Sequence, residues 1–345
     1  MGVGRLQPQR VDGRFVNPLA PRRVVPEAEG EHASDFRAFW SWRRNRKPHP
    51  RTFDVPRVAT PTPPGPPPAE GIAVTWNGHS STLVQMDGKS ILIDPVWSNR
   101  IGGVVKRLTA PGLPWEMLPP IDALVLSHNH YDHLDASTIT RLPRSTPVHC
   151  TIGVGAWFRR RGFTRVTERS WWEATDWDGF RFTCVPAQHF SGRSLWDRDR
   201  TLWGGWVIEG ERGSKVYYAG DSGYFPGFAQ IGDAFPGLDL AMIPVGAYLP
   251  RWFMAPVHVD PPEGGQAFLD VGARVMMPVH WGAFRLADES IDEPPRALRA
   301  WWQERGLDPA RLHVPTLGAT HRLALAASEG SIHTFGLGTA DPSAP

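Results

Sequence analysis

The 345-residue sequence has little cysteine and no long apolar run, and both shortages restrict its function. Its two cysteines, Cys150 and Cys184, are too few for a disulfide framework and lack the close pairing of a thiolate zinc site. Any bound metal must therefore use histidine and carboxylate side chains. No stretch approaches the roughly 20 apolar residues of a membrane-spanning helix, and residues 1–5 lack the apolar core of a secretory signal. We therefore expect a cytoplasmic protein.

A continuous basic stripe is also missing from the body of the chain. The first 60 residues carry twelve Arg or Lys against six Asp or Glu, whereas the remainder is slightly acidic. Proteins that bind nucleic acid usually concentrate basic residues on the binding surface. We therefore expect no nucleic-acid partner.

Residues 1–70 are predicted to form an N-terminal extension, because strand patterns are sparse there and a proline-rich tract at 61–68 closes it. Such a tract favours extended polyproline geometry and acts as a semi-rigid spacer. Within the extension, Phe36, Phe39 and Trp40 share one face of a short predicted helix, which is followed by clustered cations. This helix either packs on the main domain or lies at a lipid interface, which would make the protein peripheral at the membrane.

Residues 71–327 alternate short apolar runs with Gly, Pro, Asp and His, a pattern typical of buried strands joined by functional loops. Strands are predicted at 72–76, 82–86, 90–93, 123–126, 180–185, 206–209, 215–219, 240–244 and 275–278. Helices are predicted between them at 137–142, 154–161, 262–271 and 295–305. The expected fold is therefore an α/β domain of two sheets covered by helices, followed by a tail at 328–345.

The strongest chemical pattern begins where the predicted strand at 123–126 ends, with the run His-Asn-His-Tyr-Asp-His. In an extended segment, alternation places His128 and His130 on one side, while Asp132 and His133 turn toward a neighbouring point. Imidazole nitrogens and carboxylate oxygens are the ligands that catalytic zinc accepts. One loop can thus contribute to two adjacent metal ions.

Three more candidate ligands, His189, Asp221 and His280, each lie just beyond a predicted strand. A single histidine is more often structural than a ligand, and Asp-Ser-Gly is a common turn. We nevertheless expect the strand ends to converge on one rim, where these residues would complete a set of seven metal ligands.

This pattern resembles the metallo-β-lactamase superfamily, and the surrounding segments resemble N-acyl-phosphatidylethanolamine-hydrolysing phospholipase D. The shared segments include DGRFVNP at 12–18, SHNHYDHLD at 127–135, RWFM at 251–254, HVDP at 258–261 and HWG at 280–282. The resemblance extends from the N-terminal extension to about residue 320. It implies an αββα sandwich, in which two mixed β-sheets are flanked by helices.

The resemblance also implies two zinc ions per chain, Zn²⁺ being the expected cofactor. One ion would be bound by His128, His130 and His189, and the other by Asp132, His133 and His280, with Asp221 bridging the two. Asp94 would orient a ligand imidazole from behind, although an aspartate in a turn before proline is the alternative. His79 would line the site.

The reaction implied by this family is hydrolysis of N-acyl-phosphatidylethanolamine to N-acylethanolamine and phosphatidic acid by a metal-bridging hydroxide. Asp132, Asp221 and His258 would be catalytic, with His258 donating a proton to a phosphoryl or leaving oxygen. A structural histidine beside Asp260 is the alternative. Aromatic residues that would contact the lipid are Tyr248, Trp252, Phe253 and Trp203.

Two other functions fit the same sequence. The first is a related hydrolase that acts on a soluble phosphodiester, a lactone or another ester, because this fold supports many reactions. The second is a non-catalytic lipid-binding protein with a relic metal site. The family further suggests a phospholipid partner and a homodimer.

Overall fold

The computed structural model describes residues 4–19, 41–46, 52–194 and 196–323. Its strands, in chain order, are β1 (Gln9–Val11), β2 (Arg14–Val16), β3 (Ile72–Trp76), β4 (Thr82–Met86), β5 (Lys89–Ile93), β6 (Arg100–Ile101), β7 (Val105–Lys106), β8 (Ala123–Leu126), β9 (Val148–Thr151), β10 (Val166–Arg169), β11 (Ala174–Trp177), β12 (Phe180–Val185), β13 (Gly205–Gly210), β14 (Lys215–Tyr218), β15 (Leu240–Pro244), β16 (Val275–Val279) and β17 (Thr320–Leu323). The helices are α1 (Ala136–Ile139), α2 (Gly155–Arg159), α3 (Gly227–Ala234), α4 (Arg251–Met254), α5 (Pro261–Val271) and α6 (Glu293–Glu304).

Two mixed β-sheets form the centre of the protein. The first has the order β10-β9-β8-β5-β4-β3-β17, and the second has the order β11-β12-β13-β14-β15-β16. In the first sheet β5, β8, β9 and β10 run parallel, whereas in the second only β14, β15 and β16 pair in parallel. The prediction of two mixed sheets flanked by helices is confirmed.

Side-chain alternation along the strands of the first sheet explains the layered packing. Ile91 and Ile93 face the core shared with the second sheet, whereas Leu92 between them packs on the opposite side, toward α1 and α2. Because both faces of the sheet are covered, its central strands are apolar at nearly every position. This pattern matches the continuous apolar runs in the sequence.

Helix α5 begins where a Pro-Pro-Glu-Gly-Gly sequence weakens the helix pattern. Asp260 is its N-cap and accepts a hydrogen bond from the backbone N–H of Glu263, while Glu263 accepts one from the backbone N–H of Asp260. Pro261 occupies the first helical position, where its missing N–H costs nothing. The cap fixes the start of the helix two residues after His258.

Most predicted strands and helices are found within one or two residues of their expected bounds. The elements that were not predicted are helices α3 and α4 and strands β1, β2, β6, β7, β9, β10, β11 and β17. The helical face of Phe36, Phe39 and Trp40 and the tail at 328–345 lie outside the described residues. Among the residues that are described, no helix has both the length and the apolar character needed to cross a bilayer.

Candidate metal centre

The predicted metal ligands follow strands whose carboxyl ends meet at one edge of the two sheets. The 128–133 loop follows β8, and His189, Asp221 and His280 follow β12, β14 and β16. The last three strands run in the same direction, so their ends lie on the same side of the second sheet. The structure therefore brings all seven residues together; five are buried, and His130 and Asp132 are half-buried.

The first donor group consists of His128, His130 and His189. The Nδ1 of His130 lies 2.8 Å from the Nε2 of His128 and 3.2 Å from the Nε2 of His189. Burial, together with neighbouring histidines, lowers the pKa of His130 to about 3, and burial lowers that of His189 to about 4. Near neutral pH these imidazoles are uncharged.

In His128 and His189, a hydrogen bond at Nδ1 leaves the lone pair on Nε2, which is directed toward His130. His189 donates from Nδ1 to the backbone oxygen of Val257 over 2.9 Å, so its Nε2 carries a lone pair. Ser127 Oγ donates to Asp94 and lies 2.9 Å from His128 Nδ1, which leaves the Nε2 of His128 unprotonated. Converging imidazole lone pairs repel one another unless a cation lies between them.

The second donor group consists of Asp132, His133 and His280, and His79 lies beside it. Oδ2 of Asp132 lies 2.9 Å from His79 Nε2, 3.5 Å from His280 Nε2 and 3.7 Å from His133 Nε2. Although burial opposes its charge, the carboxylates of Asp221 and Asp132 raise the pKa of His280 to about 9. This group therefore combines imidazoles with a balancing negative charge.

Asp221 lies between the two groups. Its Oδ2 is 3.0 Å from His280 Nε2, 3.2 Å from His133 Nε2 and 3.7 Å from His189 Nε2. Its Oδ1 is buried and has no hydrogen-bond partner among the described residues. A buried carboxylate oxygen without a partner is costly, and a cation would satisfy it.

Asp94 lies directly behind His133. Its carboxylate accepts hydrogen bonds from His133 Nδ1 at 2.7 Å, from Ser127 and from the hydroxyl of Tyr218 at 2.6 Å. The first of these bonds fixes the orientation of the His133 ring. Tyr218 lies on β14, in the opposite sheet, so Asp94 also links the two sheets beneath the donors.

His79 occupies the turn after β3 with a positive φ of 57°. Its backbone N–H donates to Trp281 and its backbone oxygen accepts from the N–H of His280, each over 3.0 Å. These bonds hold the turn against the segment that carries His280. The left-handed backbone thus directs His79 Nε2 toward Asp132.

His258 also lies beside the donors. Its ring centroid is 5.0 Å from that of His189 and 5.3 Å from that of His280, and its buried Nδ1 has no hydrogen-bond partner in the part of the chain that the structure describes. The alternative of a structural pairing with Asp260 finds no support, because Asp260 instead caps α5 and pairs with Arg251. His258 is therefore available to a group bound at the centre.

The aromatic residues predicted to contact a lipid occupy different environments. Trp252 and Phe253 belong to a cluster with Trp42, which stacks on Phe253 with ring centroids 5.6 Å apart. The hydroxyl of Tyr248 bonds to Glu293. The prediction for Trp203 needs correction, because Trp203 is only 2% exposed and its indole N–H donates to a backbone oxygen inside the core.

Sequence reasoning missed Tyr218 and Arg193. Arg193 stacks on the ring of Tyr131 at 4.0 Å and donates to the backbone oxygens of Asn129 and Leu134 at 2.9 and 2.7 Å. Its guanidinium therefore ties together both ends of the donor loop. An isolated arginine in a polar loop carries no sequence signal for that role.

The residues present fit a pair of metal ions. Three imidazoles form one group, two imidazoles and a carboxylate form the other, and one carboxylate lies within reach of both. Nitrogen and oxygen donors in these numbers are typical of catalytic zinc sites, which leave a coordination position open. A two-sheet sandwich with such donors at its strand ends defines the class of metal-dependent hydrolases with the metallo-β-lactamase fold.

Comparison with known proteins agrees with this class. Residues 89–281 match the model of the beta-lactamase superfamily domain, and the chain belongs to that superfamily. It is 42% identical over 243 residues to an uncharacterised protein of Mycobacterium tuberculosis, an alignment that covers 67% of this chain and 64% of that relative. It is 36% identical to N-acyl-phosphatidylethanolamine-hydrolyzing phospholipase D 1 of Caenorhabditis elegans, with coverage of 66% and 68%.

A solved structure shows the same fold. The metallo hydrolase of the archaeon Ignicoccus hospitalis superposes with a TM-score of 0.59 at 24% identity, covering 74% of this chain and 99% of the other. Similarity at this level of identity supports the fold alone.

Proposed function

We propose that the protein is a zinc-dependent phosphodiesterase of the phospholipase D type. Its reaction would convert N-acyl-phosphatidylethanolamine and water to N-acylethanolamine and phosphatidic acid. The observation that carries this proposal is the position of Asp221 Oδ2, which lies within 3.7 Å of nitrogens from both donor groups. The printed name of the Caenorhabditis elegans relative supports the choice of substrate.

Two zinc ions bound by these donors would supply Lewis acidity for the phosphoryl oxygens and an activated water at neutral pH. Two dications exceed the charge of the two carboxylates, Asp132 and Asp221, so the centre would attract an anionic phosphodiester. The chain itself contributes the orientation of the donors. Asp94 and Val257 fix the rings of His133 and His189, and Arg193 holds the donor loop.

In the proposed reaction, the oxygen of water bonds to phosphorus while the bond from phosphorus to the oxygen of N-acylethanolamine breaks. The departing oxygen must gain a proton, and the attacking water must lose one. His258 is placed to position that proton, because its buried ring lies beside both donor groups. Burial holds the pKa of His258 well below its usual value, so the neutral ring offers one N–H to a phosphoryl or leaving oxygen.

The surface around the donor loop supports a lipid substrate. Tyr131, within the loop, is 41% exposed and packs against Gly102 in the β6–β7 hairpin, whose tip residue Val104 is 77% exposed. Tyr131 also bonds to the backbone of Arg193, three residues before Trp196, which is 80% exposed. Exposed apolar side chains beside a catalytic centre suit contact with acyl chains or a lipid surface.

Turnover of a lipid panel tests the proposal. Metal-free protein would be loaded with zinc and offered detergent-dispersed N-acyl-phosphatidylethanolamine, phosphatidylcholine and a soluble phosphodiester, with zinc content measured on the same sample. We expect N-acylethanolamine release that a chelator abolishes. Hydrolysis of the soluble ester alone would replace the proposal with a soluble phosphodiesterase, and zinc-loaded protein without turnover would remove it.

The role of His258 has a separate test. Replacement by glutamine should lower kcat by about 100-fold, because a side chain that positions a transferred proton contributes roughly that much. Zinc content should stay at the wild-type value. A fall in zinc content instead would make His258 a metal ligand, an arrangement that its proximity to His189 and Asp221 allows.

A phospholipid membrane is the partner we propose for the exposed side chains around Tyr131. The predicted homodimer is proposed from family resemblance, and light scattering at several protein concentrations tests it. A mass that stays at the monomer value would contradict the dimer.

A further inference from the structure

The hairpin formed by β1 and β2 ends beside the candidate metal centre. Asn17, the residue after β2, donates from Nδ2 to the backbone oxygen of His189 over 2.6 Å. Its Oδ1 accepts a hydrogen bond from the backbone N–H of the same histidine over 3.2 Å. One side chain therefore satisfies both backbone groups of a metal-ligand candidate that is 172 residues away in sequence.

Other contacts hold this hairpin in place. Phe15 is 5% exposed and forms an edge-to-face contact with Trp203, with ring centroids 6.5 Å apart. Its backbone N–H donates to the backbone oxygen of Asp199 over 2.7 Å. Upstream, the backbone oxygen of Leu6 accepts from the indole of Trp172. Asn17 is thus presented from an anchored segment.

His189 depends on this side chain because it lies just beyond the end of β12. The β12–β13 ladder ends at Val185, so no strand partner is available to the backbone of residue 189. His189 is 1% exposed, and water cannot readily replace a lost partner there. Buried backbone groups left without partners are destabilising, so removal of Asn17 would favour a shift of this segment.

Such a shift would move the ring nitrogen that completes the first donor group. Asn17 fixes the backbone of His189, while Val257 fixes its Nδ1. Together they place Nε2 at 3.2 Å from His130 Nδ1. Zinc–nitrogen distances are tolerated only within about 0.2 Å, so small displacements of the backbone weaken metal binding.

We propose that Asn17 is a positioning residue of the metal centre, acting through His189. The N-terminal hairpin is then part of the catalytic apparatus and is not a separable extension. The inference rests on metal binding by His189 as proposed above, and its test measures metal affinity without using turnover.

The experiment compares Asn17→Ala with Asn99→Ala, which removes the same side chain from an exposed position. Zinc affinity would be measured by competition with a chromophoric chelator. We expect Asn17→Ala to weaken one of the two zinc sites by about 10–100-fold, the range found for residues that orient metal ligands. Asn99→Ala should bind zinc like the wild type.

Thermal unfolding separates positioning from general destabilisation. Each protein would be melted with and without zinc, because a ligand that binds the folded state raises Tm by an amount that grows with the logarithm of its affinity. A positioning role predicts that Asn17→Ala reduces the zinc-induced rise in Tm. Equal losses of Tm with and without zinc, at unchanged affinity, would overturn the proposal.

A double substitution confirms the route through His189. In His189→Ala protein, adding Asn17→Ala should have no further effect on zinc affinity, since the two changes affect the same ligand. An additive loss would contradict action through His189. Wild-type protein that binds no zinc would overturn this inference and the proposed function together, whereas zinc binding without lipid turnover would remove only the proposed function.

Discussion

The two donor groups share one rim but differ in how their charges are balanced. In the group of His128, His130 and His189, burial lowers the pKa of every ring, and carbonyl, hydroxyl or backbone contacts hold the rings. In the group of His133 and His280, burial is outweighed by neighbouring carboxylates, which raise both pKa values. The first group is therefore ready for a cation at neutral pH, whereas the second must release protons to bind one.

The two groups contain similar ligands, but different interactions hold those ligands in position. The neutral imidazoles of the first group depend on hydrogen-bond partners that fix their position, such as Asn17 and Val257 for His189. Imidazoles paired with carboxylates depend on charge, which Asp94, Asp132 and Asp221 provide. Loss of a neutral support should therefore affect the first group, and loss of a carboxylate the second.

The largest effect is expected from Asp221→Ala, which removes the one carboxylate that both groups share. We expect kcat/KM to fall by about 10³-fold or more, because metal-ion stabilisation of the transition state amounts to several kcal/mol. At least one zinc ion per chain should also be lost. Steady-state kinetics with metal analysis on the same sample measure both, and an active variant with two bound zinc ions would show that the groups work independently.

A smaller effect, mainly on the second group, is expected from Asp94→Asn. The change keeps the shape of the side chain but removes the charge that faces His133 and the acceptor for Tyr218. Affinity for the zinc ion bound by His133 should fall by about 10–100-fold, with a smaller loss at the other site, because Asp94 also accepts a hydrogen bond from Ser127 behind His128. A chelator titration resolves the two sites, and equal weakening of both would contradict the separation drawn above.

The smallest effect on the metal centre is expected from His149→Phe, which tests burial of an imidazole away from the donors. His149 stacks on Phe182 at 4.0 Å, and burial lowers its pKa to about 4. Because the unfolded chain binds a proton below about pH 6.5 and the folded chain does not, stability falls as the pH drops from 6.5 toward 4.

Removal of this imidazole should therefore protect the fold against acid. We expect His149→Phe to recover about 2 kcal/mol of unfolding free energy near pH 5, with unchanged zinc affinity at neutral pH. Urea unfolding at pH 7 and pH 5 measures the difference. If the variant loses stability with acid as steeply as the wild type, the acid response must originate in other groups, including the neutral donor group.

The sequence predicted the parts of the fold and the site that carry a local pattern. The four loop donors are adjacent along the chain, and His189, Asp221 and His280 each follow an apolar strand. Their grouping in the structure follows from strand direction, which an apolar run does not by itself reveal. The missed strands β10 and β11 are partly exposed and mix polar with apolar residues, so they lack the pattern of a buried strand.

The supporting residues could not be found in this way. Asn17, Arg193 and Tyr218 act through contacts with distant segments, and none belongs to a repeating pattern. Trp203 shows the opposite error, since aromatic composition does not distinguish a binding surface from a packed core. The donor residues could thus be predicted from local sequence, whereas the residues that position them could be identified only from the three-dimensional structure.

Strand β17 protects one edge of the first sheet from pairing with another molecule. It pairs antiparallel with β3, whose five residues are all buried, and covers what would otherwise be the outer strand of the first sheet. Until Thr320–Leu323 dock, the outward N–H and C=O groups of β3 remain open to any extended segment of another molecule. Truncation before residue 320 should therefore produce intermolecular strand addition and aggregation, even though every proposed metal ligand would still be present.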